Sequence, residues 1–197
     1  MYKRKDAFYK KAKQAGYRSR AAYKLRELSH SFGLLRPGQR VIDLGAWPGG
    51  WLQVAAELVG PRGRVIGIDL VPIDPLTTGN VTVVQGDATD PDQQRRLLSL
   101  LDGPADILLS DMAPKLSGVR ERDEAQAQEL SRAAVACATR LLRPGGSLLL
   151  KAFMDSGYPA LLAALRASFA TVKTTKPQAT RKGSSETYII ASGFVSC

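Results

Sequence analysis

Four acids and one lysine stand where short apolar runs end. Asp43 follows Arg40-Val-Ile, Asp69 closes RVIGID, Asp87 follows VTVVQG, Asp111 follows ADILLS, and Lys151 follows a triplet of leucines. Carboxylates crowded on one edge repel one another, so their grouping implies a cationic or hydroxyl-bearing ligand that offsets the repulsion. A lysine among them can serve as a base when burial and a second cation make its neutral form accessible. Glu186 in SETYIIASG begins an apolar run instead of ending one. It joins the same edge only if its strand runs antiparallel to the others.

The loop from Asp43 to Trp51, DLGAWPGGW, is the second chemical feature. Its glycines allow a sharp strand-to-helix turn and close backbone approach to a ligand. Trp47 stands where a dinucleotide-binding G-x-G-x-x-G loop needs its second glycine, and the G-K-[ST] ending of a phosphate loop is absent. An acid-lined edge would repel a pyrophosphate. It would accept a sulfonium, an ammonium and ribose hydroxyls, the groups of S-adenosylmethionine. Asp69 ends the second apolar run about 20 residues beyond the loop, where a carboxylate accepts hydrogen bonds from a ribose diol. A nicotinamide-dependent Rossmann oxidoreductase is the competing class, and binding of one cofactor or the other separates them.

The elements that position these residues alternate along the chain. RVIDLGA, RVIGIDL, VTVVQGD, ADILLSDM and GSLLLKAF read as strands, separated by helices at WLQVAAELV, DQQRRLLSLL, and Glu121 to Leu142, and followed by one from Pro159 to Ser168. ATVKTT and ETYIIASG close the pattern. Continuous Val, Ile and Leu without polar alternation marks strands buried on both faces, hence an α/β fold with a parallel sheet between helices. Ligands of such sheets bind beyond the carboxyl ends of the strands, which brings the acids and Lys151 together. Upstream, a helix from about Ser19 carries an apolar stripe of Ala21, Leu25, Leu28 and Phe32, with Lys24 on its border. No linker divides residues 1 to 197, so one domain is expected.

The charge is unevenly placed. Residues 1 to 40 hold twelve of the 28 basic side chains against Asp6 and Glu27, and the remaining 16 basic and 16 acidic residues cancel, so the whole +10 lies in this segment. Tyr2, Phe8, Tyr9, Tyr17 and Tyr23 interleave with the cations. Cations for phosphates and rings for stacking on bases suit RNA, so a basic RNA-binding segment is expected at about residues 1 to 36. At 44% hydrophobic and 23% charged, the chain has the balance of an ordinary globular domain. It lacks a long apolar span and an apolar leader segment, so no membrane contact and a cytoplasmic location are expected. Cys137 and Cys197 read as free thiols, too few for a four-ligand metal site.

Taken in order, GYRSRAAYKL, DLGAWPGGW, IDLVPIDP, GDATD, SDMAPKLSG, LLLKAF and SETYIIASG resemble the FtsJ/RrmJ family of 2'-O-ribose RNA methyltransferases over residues 8 to 194. The resemblance implies a class I S-adenosylmethionine-dependent methyltransferase fold, Rossmann-like, with a seven-stranded mostly parallel sheet whose last strand is antiparallel. It places a catalytic tetrad at Lys24, Asp111, Lys151 and Glu186, and cofactor contacts at Gly49, Trp51, Asp69, Asp87 and Asp111. The implied reaction moves a methyl group from S-adenosylmethionine to a ribose 2'-hydroxyl, expected on a uridine of 23S rRNA in the large ribosomal subunit. Lys115 and Leu116 in SDMAPKLSG, and KAFMDSGY after the leucine run, depart from bacterial members of the family. A tRNA anticodon-loop substrate therefore stays open beside rRNA, as does a non-enzymatic RNA-binding module. No RNA-binding extension is recognisable and no obligate protein partner is evident, so RNA capture is expected from the domain itself. Lys151 is expected to take the hydroxyl proton, with Lys24 as the neighbouring cation and Asp111 and Glu186 orienting the lysines.

Overall fold

The structure, a computed structural model, describes residues 7–115, 117–180 and 183–195. In chain order its elements are α1 (Ala7–Gln14), α2 (Ala21–Phe32), β1 (Arg40–Leu44), α3 (Gly50–Val59), β2 (Arg64–Asp69), β3 (Val81–Gln85) and α4 (Pro91–Leu101). β4 (Ala105–Ser110), α5 (Arg120–Leu141), β5 (Leu142–Phe153), α6 (Tyr158–Ser168), β6 (Phe169–Thr175) and β7 (Glu186–Phe194) follow. Tyr2, Leu116 and Cys197 lie outside the described residues, as do Lys3, Arg4, Lys5 and Asp6 of the basic segment.

One seven-stranded sheet runs β3-β2-β1-β4-β5-β7-β6. β1 to β5 pair in parallel, whereas β7 is antiparallel to both β5 and β6. The reversal of β7 meets the condition that Glu186 required. Its first residue pairs with Phe153 and its third, Tyr188, pairs with Lys151, so the start of β7 lies at the edge where the parallel strands end.

Two apolar layers bury the sheet. Ile42, Ile66, Leu108, Leu148 and Ile189 face the layer that includes Leu97, Ala134 and Leu165 from α4, α5 and α6. Val41, Val65, Leu109, Leu149 and Ile190 face the other, under Leu25 and Leu28 of α2 and Leu52 of α3. Side chains alternate along a strand, so residues two apart share a face. Counting by two on the α2 and α3 side gives Val41 then Asp43, Leu109 then Asp111, Leu149 then Lys151, and Ile190 then Tyr188 then Glu186. The polar residues thus continue a buried apolar row at the point where the row meets solvent. Truncating a buried leucine of that row, such as Leu109→Ala, would cost about 2 to 5 kcal/mol and loosen the strand end beyond it.

Two boundaries differ from the sequence reading. Residues 7–14 form a helix that charge counting did not announce, and β5 begins at Leu142 instead of Gly146. In β5 Leu142 pairs with Ala105 and Ser147 with Ile107, so the Arg143 to Gly146 stretch is absorbed as a bulge in an otherwise regular ladder. Among the described residues, no helix is long and apolar enough to cross a membrane.

Candidate active site

Strand ends of β4, β5 and β7 and the buried face of α2 meet in one polar cluster. Lys151 Nζ lies 2.9 Å from Asp111 Oδ1 and donates to the Asp111 carbonyl at 2.6 Å. Lys24 Nζ lies 2.6 Å from Glu186 Oε1. Both lysines are nearly buried, at 8% exposure for Lys24 and 7% for Lys151. A buried ammonium without a partner would be costly, so each requires its carboxylate. The two pairs are not independent. The Tyr188 hydroxyl donates to Asp111 Oδ1 at 2.8 Å and accepts from Lys24 Nζ at 3.2 Å, giving a continuous line from Lys151 through Asp111, Tyr188 and Lys24 to Glu186.

Tyr188 was not singled out from the sequence, although a signal existed. It stands two residues after Glu186, on the same strand face, and opposite Lys151 in the ladder. It is fully buried. Burial, reinforced by the charges of Asp111 and Glu186, pushes its phenol well above the usual tyrosine value, so it remains a hydroxyl that can donate to Asp111.

Beside this cluster, a cleft of about 620 Å³ opens over the ends of β1 to β4, lined by Gly45, Trp47, Asp69, Asp87, Asp111 and Met112 among others. Asp69 is tied to both rims: Oδ2 accepts from the Trp47 amide at 2.9 Å and Oδ1 from the Val71 amide at 2.9 Å. Asp87 Oδ1 accepts from the Thr89 amide and hydroxyl at 2.8 Å each. Asp43 and Asp111 share a small recess with Trp47, Gly50 and Trp51. Asp43 is 1% exposed and neither of its oxygens has a hydrogen-bond partner. Burial first, then the charges of Asp111 and Asp69, push its carboxyl well above the ordinary carboxylate range. A buried, unpartnered acid next to two more acids is the environment that a cationic ligand would complete. A donor with a sulfonium, an ammonium and a ribose diol fits this set.

The two remaining residues of the expected cofactor set are placed differently. Gly49 caps α3 at φ 105°, a left-handed conformation, and a Cβ there would come within 2.9 Å of Arg18 Nη1. The Trp51 ring is 3% exposed, packs 6.1 Å from the Tyr188 ring, and donates through Nε1 to the Ala21 carbonyl at 2.8 Å. It locks α2 onto α3 and so helps hold Lys24 in the cluster. Trp47, 57% exposed, is the tryptophan that lines the larger cleft.

The basic segment is partly absorbed by the fold. Phe8 and Tyr17 both pack on Tyr23, with ring centroids 6.0 Å and 5.7 Å apart, so these three rings join α1 to α2 instead of standing free for bases. Tyr17 also donates to Glu57 and accepts from Arg26. Lys10, Lys11 and Lys13 are exposed on α1.

The alternation of the sheet and its reversed last strand agree with the family resemblance, and similarity decides it. A family model described as FtsJ-like methyltransferase matches residues 17–194. The chain belongs to the FtsJ-like methyltransferase family. Proteins named Ribosomal RNA large subunit methyltransferase E are similar over nearly the whole of this chain. That of Methanosphaera stadtmanae is 44% identical, covering 96% of this chain and 93% of its own, and that of Alkalilimnicola ehrlichii is 47% identical, covering 96% and 90%. A crystal structure from Plasmodium falciparum assigned to the ribosomal RNA methyltransferases superposes with a TM-score of 0.80 at 30% identity, covering 92% of this chain and all of that one. Aeropyrum pernix fibrillarin, solved with natively bound S-adenosyl-L-methionine, superposes at 0.61 with 20% identity over 86% of this chain and 75% of its own, and shares the fold. FtsJ-like architecture here is the class I methyltransferase sheet with its antiparallel last strand.

Proposed function

We propose that this FtsJ-like protein transfers a methyl group from S-adenosylmethionine to a ribose 2'-hydroxyl of large-subunit ribosomal RNA, at a uridine of the 23S-type molecule. The observation that carries the reading is the single polar line of Lys151, Asp111, Tyr188, Lys24 and Glu186 beside an acid-lined cleft. The relatives' names supply the RNA class. An rRNA substrate assigns the protein to the cytoplasm, where bacterial and archaeal ribosomes assemble.

When bound, S-adenosylmethionine supplies a methyl group made electrophilic by its sulfonium. Asp69 and Asp87 would accept from its hydroxyl and amino groups, and Asp43 and Asp111 would offset its positive charge. Gly49 contributes the left-handed turn that leads from this edge into α3. Lys151 takes the 2'-hydroxyl proton as the oxygen attacks, which requires its neutral form. After transfer, the Lys151 ammonium is held by Asp111. Lys24 commits two of its three ammonium protons to Glu186 and Tyr188, leaving one for the reacting ribose oxygen. We further assign residues 1 to 36 as the RNA-binding segment of a single methyltransferase domain, with the exposed lysines of α1 as phosphate contacts.

The test is transfer of a labelled methyl group from S-adenosylmethionine to large subunits, free rRNA and tRNA from cells lacking the gene, followed by mapping of 2'-O-methyl positions. Label in large-subunit rRNA at a uridine ribose is expected. Label in tRNA alone would overturn the substrate, and no transfer by folded protein to any RNA would overturn the activity.

A further inference from the structure

The short connection between α1 and α2 lies across the glycine loop, and one of its basic residues is held unlike a nucleic-acid contact. Arg18 Nη1 donates to the Pro48 carbonyl at 3.2 Å and to the Asp74 carbonyl at 2.6 Å, while Nη2 donates to the Pro75 carbonyl at 2.9 Å. Its backbone amide donates to Gln53 Oε1 at 2.8 Å, and Gln53 Nε2 returns a bond to the Gly16 carbonyl at 2.9 Å. The glycine pair makes room for this seat. A Cβ on Gly49 would lie 2.9 Å from Arg18 Nη1, and one on Gly50 would lie 2.2 Å from Ser19 Oγ.

The three carbonyls belong to two loops. Pro48 is in the β1 to α3 turn next to Trp47, and Asp74 and Pro75 are in the β2 to β3 connection that begins after Asp69. Trp47, Asp69 and Leu70 line the large cleft, so these are two rims of the proposed donor site. The amide of Trp47 already joins the rims through Asp69 at 2.9 Å. Arg18 joins the same two loops a second time, three and five residues further along the second loop than Val71 and Leu70 at its start. Only a planar guanidinium has several donors in a fixed fork. A lysine offers a point charge that cannot hold three carbonyls from two directions in one plane.

We propose that Arg18 is a positioning residue for the methyl donor: it sets the spacing between the two loops that carry Trp47 and Asp69, and it does not serve as one of the segment's phosphate contacts. The inference rests on the reading of the cleft as the donor site. It separates one arginine from the pool of N-terminal cations that charge counting treats as equivalent.

The experiment compares wild type, Arg18→Lys, Arg18→Met and Lys13→Ala by calorimetry with S-adenosylhomocysteine, by kcat and KM for S-adenosylmethionine, and by the salt dependence of RNA binding. Arg18→Lys is expected to raise the donor KM and the S-adenosylhomocysteine Kd about 10-fold, a loss of about 1.4 kcal/mol, with kcat at saturating donor unchanged within about twofold. Its RNA salt slope should match wild type, whereas Lys13→Ala should flatten that slope by somewhat under one and leave the donor constants alone. Arg18→Lys keeps the charge and the aliphatic stem, so it preserves the test if Arg18→Met fails to fold. Unchanged donor constants in Arg18→Lys would overturn the proposal. So would an Arg18→Met protein that loses salt slope while binding donor normally, because that is the signature of a phosphate contact. Wild-type protein that binds no S-adenosylhomocysteine would instead remove the donor-site reading itself, a failure visible before any variant is compared.

Discussion

The two halves of the proposed catalytic edge handle buried charge in opposite ways. On the acceptor side, β5, β7 and α2 bring two lysines and two carboxylates together so that each cation has its acid, with Tyr188 joining the pairs. On the proposed donor side, β1 to β3 bring up acids whose partners among the described residues are backbone amides and a threonine hydroxyl, and Asp43 has none among them. The acceptor side is internally compensated and can hold a lysine in a fixed geometry before substrate arrives. The donor side is left with surplus negative charge, which a cationic ligand relieves. Organisation for chemistry and organisation for binding therefore occupy neighbouring strands of one sheet and can be disturbed separately.

Lys151→Ala should give the largest effect. Removing a proton acceptor from a reacting centre costs about 10² to 10⁴-fold in rate, so single-turnover methyl transfer should fall by that order. Affinity for S-adenosylhomocysteine should stay within a few fold by calorimetry. An equal loss of donor binding would erase the division between the halves.

Asp69→Ala should do the reverse. Losing a charged acceptor that also ties the Trp47 and Val71 amides should weaken donor binding about 10- to 100-fold. The rate at saturating donor should change little, which kcat and KM for S-adenosylmethionine will read. A collapse of kcat with KM intact would place Asp69 in the chemistry.

Tyr188→Phe sharpens the comparison within the acceptor side. The ring is kept and the core remains filled, but Asp111 loses a donor and its charge falls more fully on Lys151. Single-turnover methyl transfer is expected to fall about 10-fold because Asp111, and through it Lys151, is held less firmly, with S-adenosylhomocysteine affinity within a few fold. A single-turnover rate equal to wild type would reduce Tyr188 to packing.

Asp43→Asn carries the smallest effect and the opposite sign for stability. Its folded carboxyl titrates well above its ordinary value near 3.8, so the folded protein binds more protons than the unfolded chain once pH exceeds that value. Stability is then lost as pH rises from about 4 through the raised value, and the loss persists above it. The asparagine variant removes this slope, so donor-free Asp43→Asn should melt higher than wild type at pH 8 by about 2 to 4 °C per kcal/mol of relieved charge, with a smaller gap at pH 5. Its donor affinity should fall. Equal melting temperatures at both pH values would show that Asp43 is not a strained acid.

Much of this was readable in the chain. Runs of Val, Ile and Leu fix buried parallel strands by their hydrophobicity, and the rule that ligands gather beyond strand ends then selects Asp43, Asp69, Asp87, Asp111 and Lys151 without a structure. The ordered motifs identify the family, and the resemblance pointed to Lys24 and Glu186 as candidates. What the sequence could not decide depends on the direction and packing of elements far apart in the chain. Whether Glu186 reaches the edge depends on β7 running antiparallel, a property of the sheet and not of SETYIIASG. Whether Lys24 is a solvated rim residue or a buried partner depends on α2 docking over β7, which the Trp51 indole and the Tyr188 ring arrange. The sharpest case is the basic segment, whose cations look alike in a charge count. Tertiary packing sorts them, placing Lys10 and Lys13 in solvent, Lys24 against Glu186 and Tyr188 and Arg18 on three loop carbonyls, because charge is a property of a residue whereas the partner that satisfies it is a property of the fold.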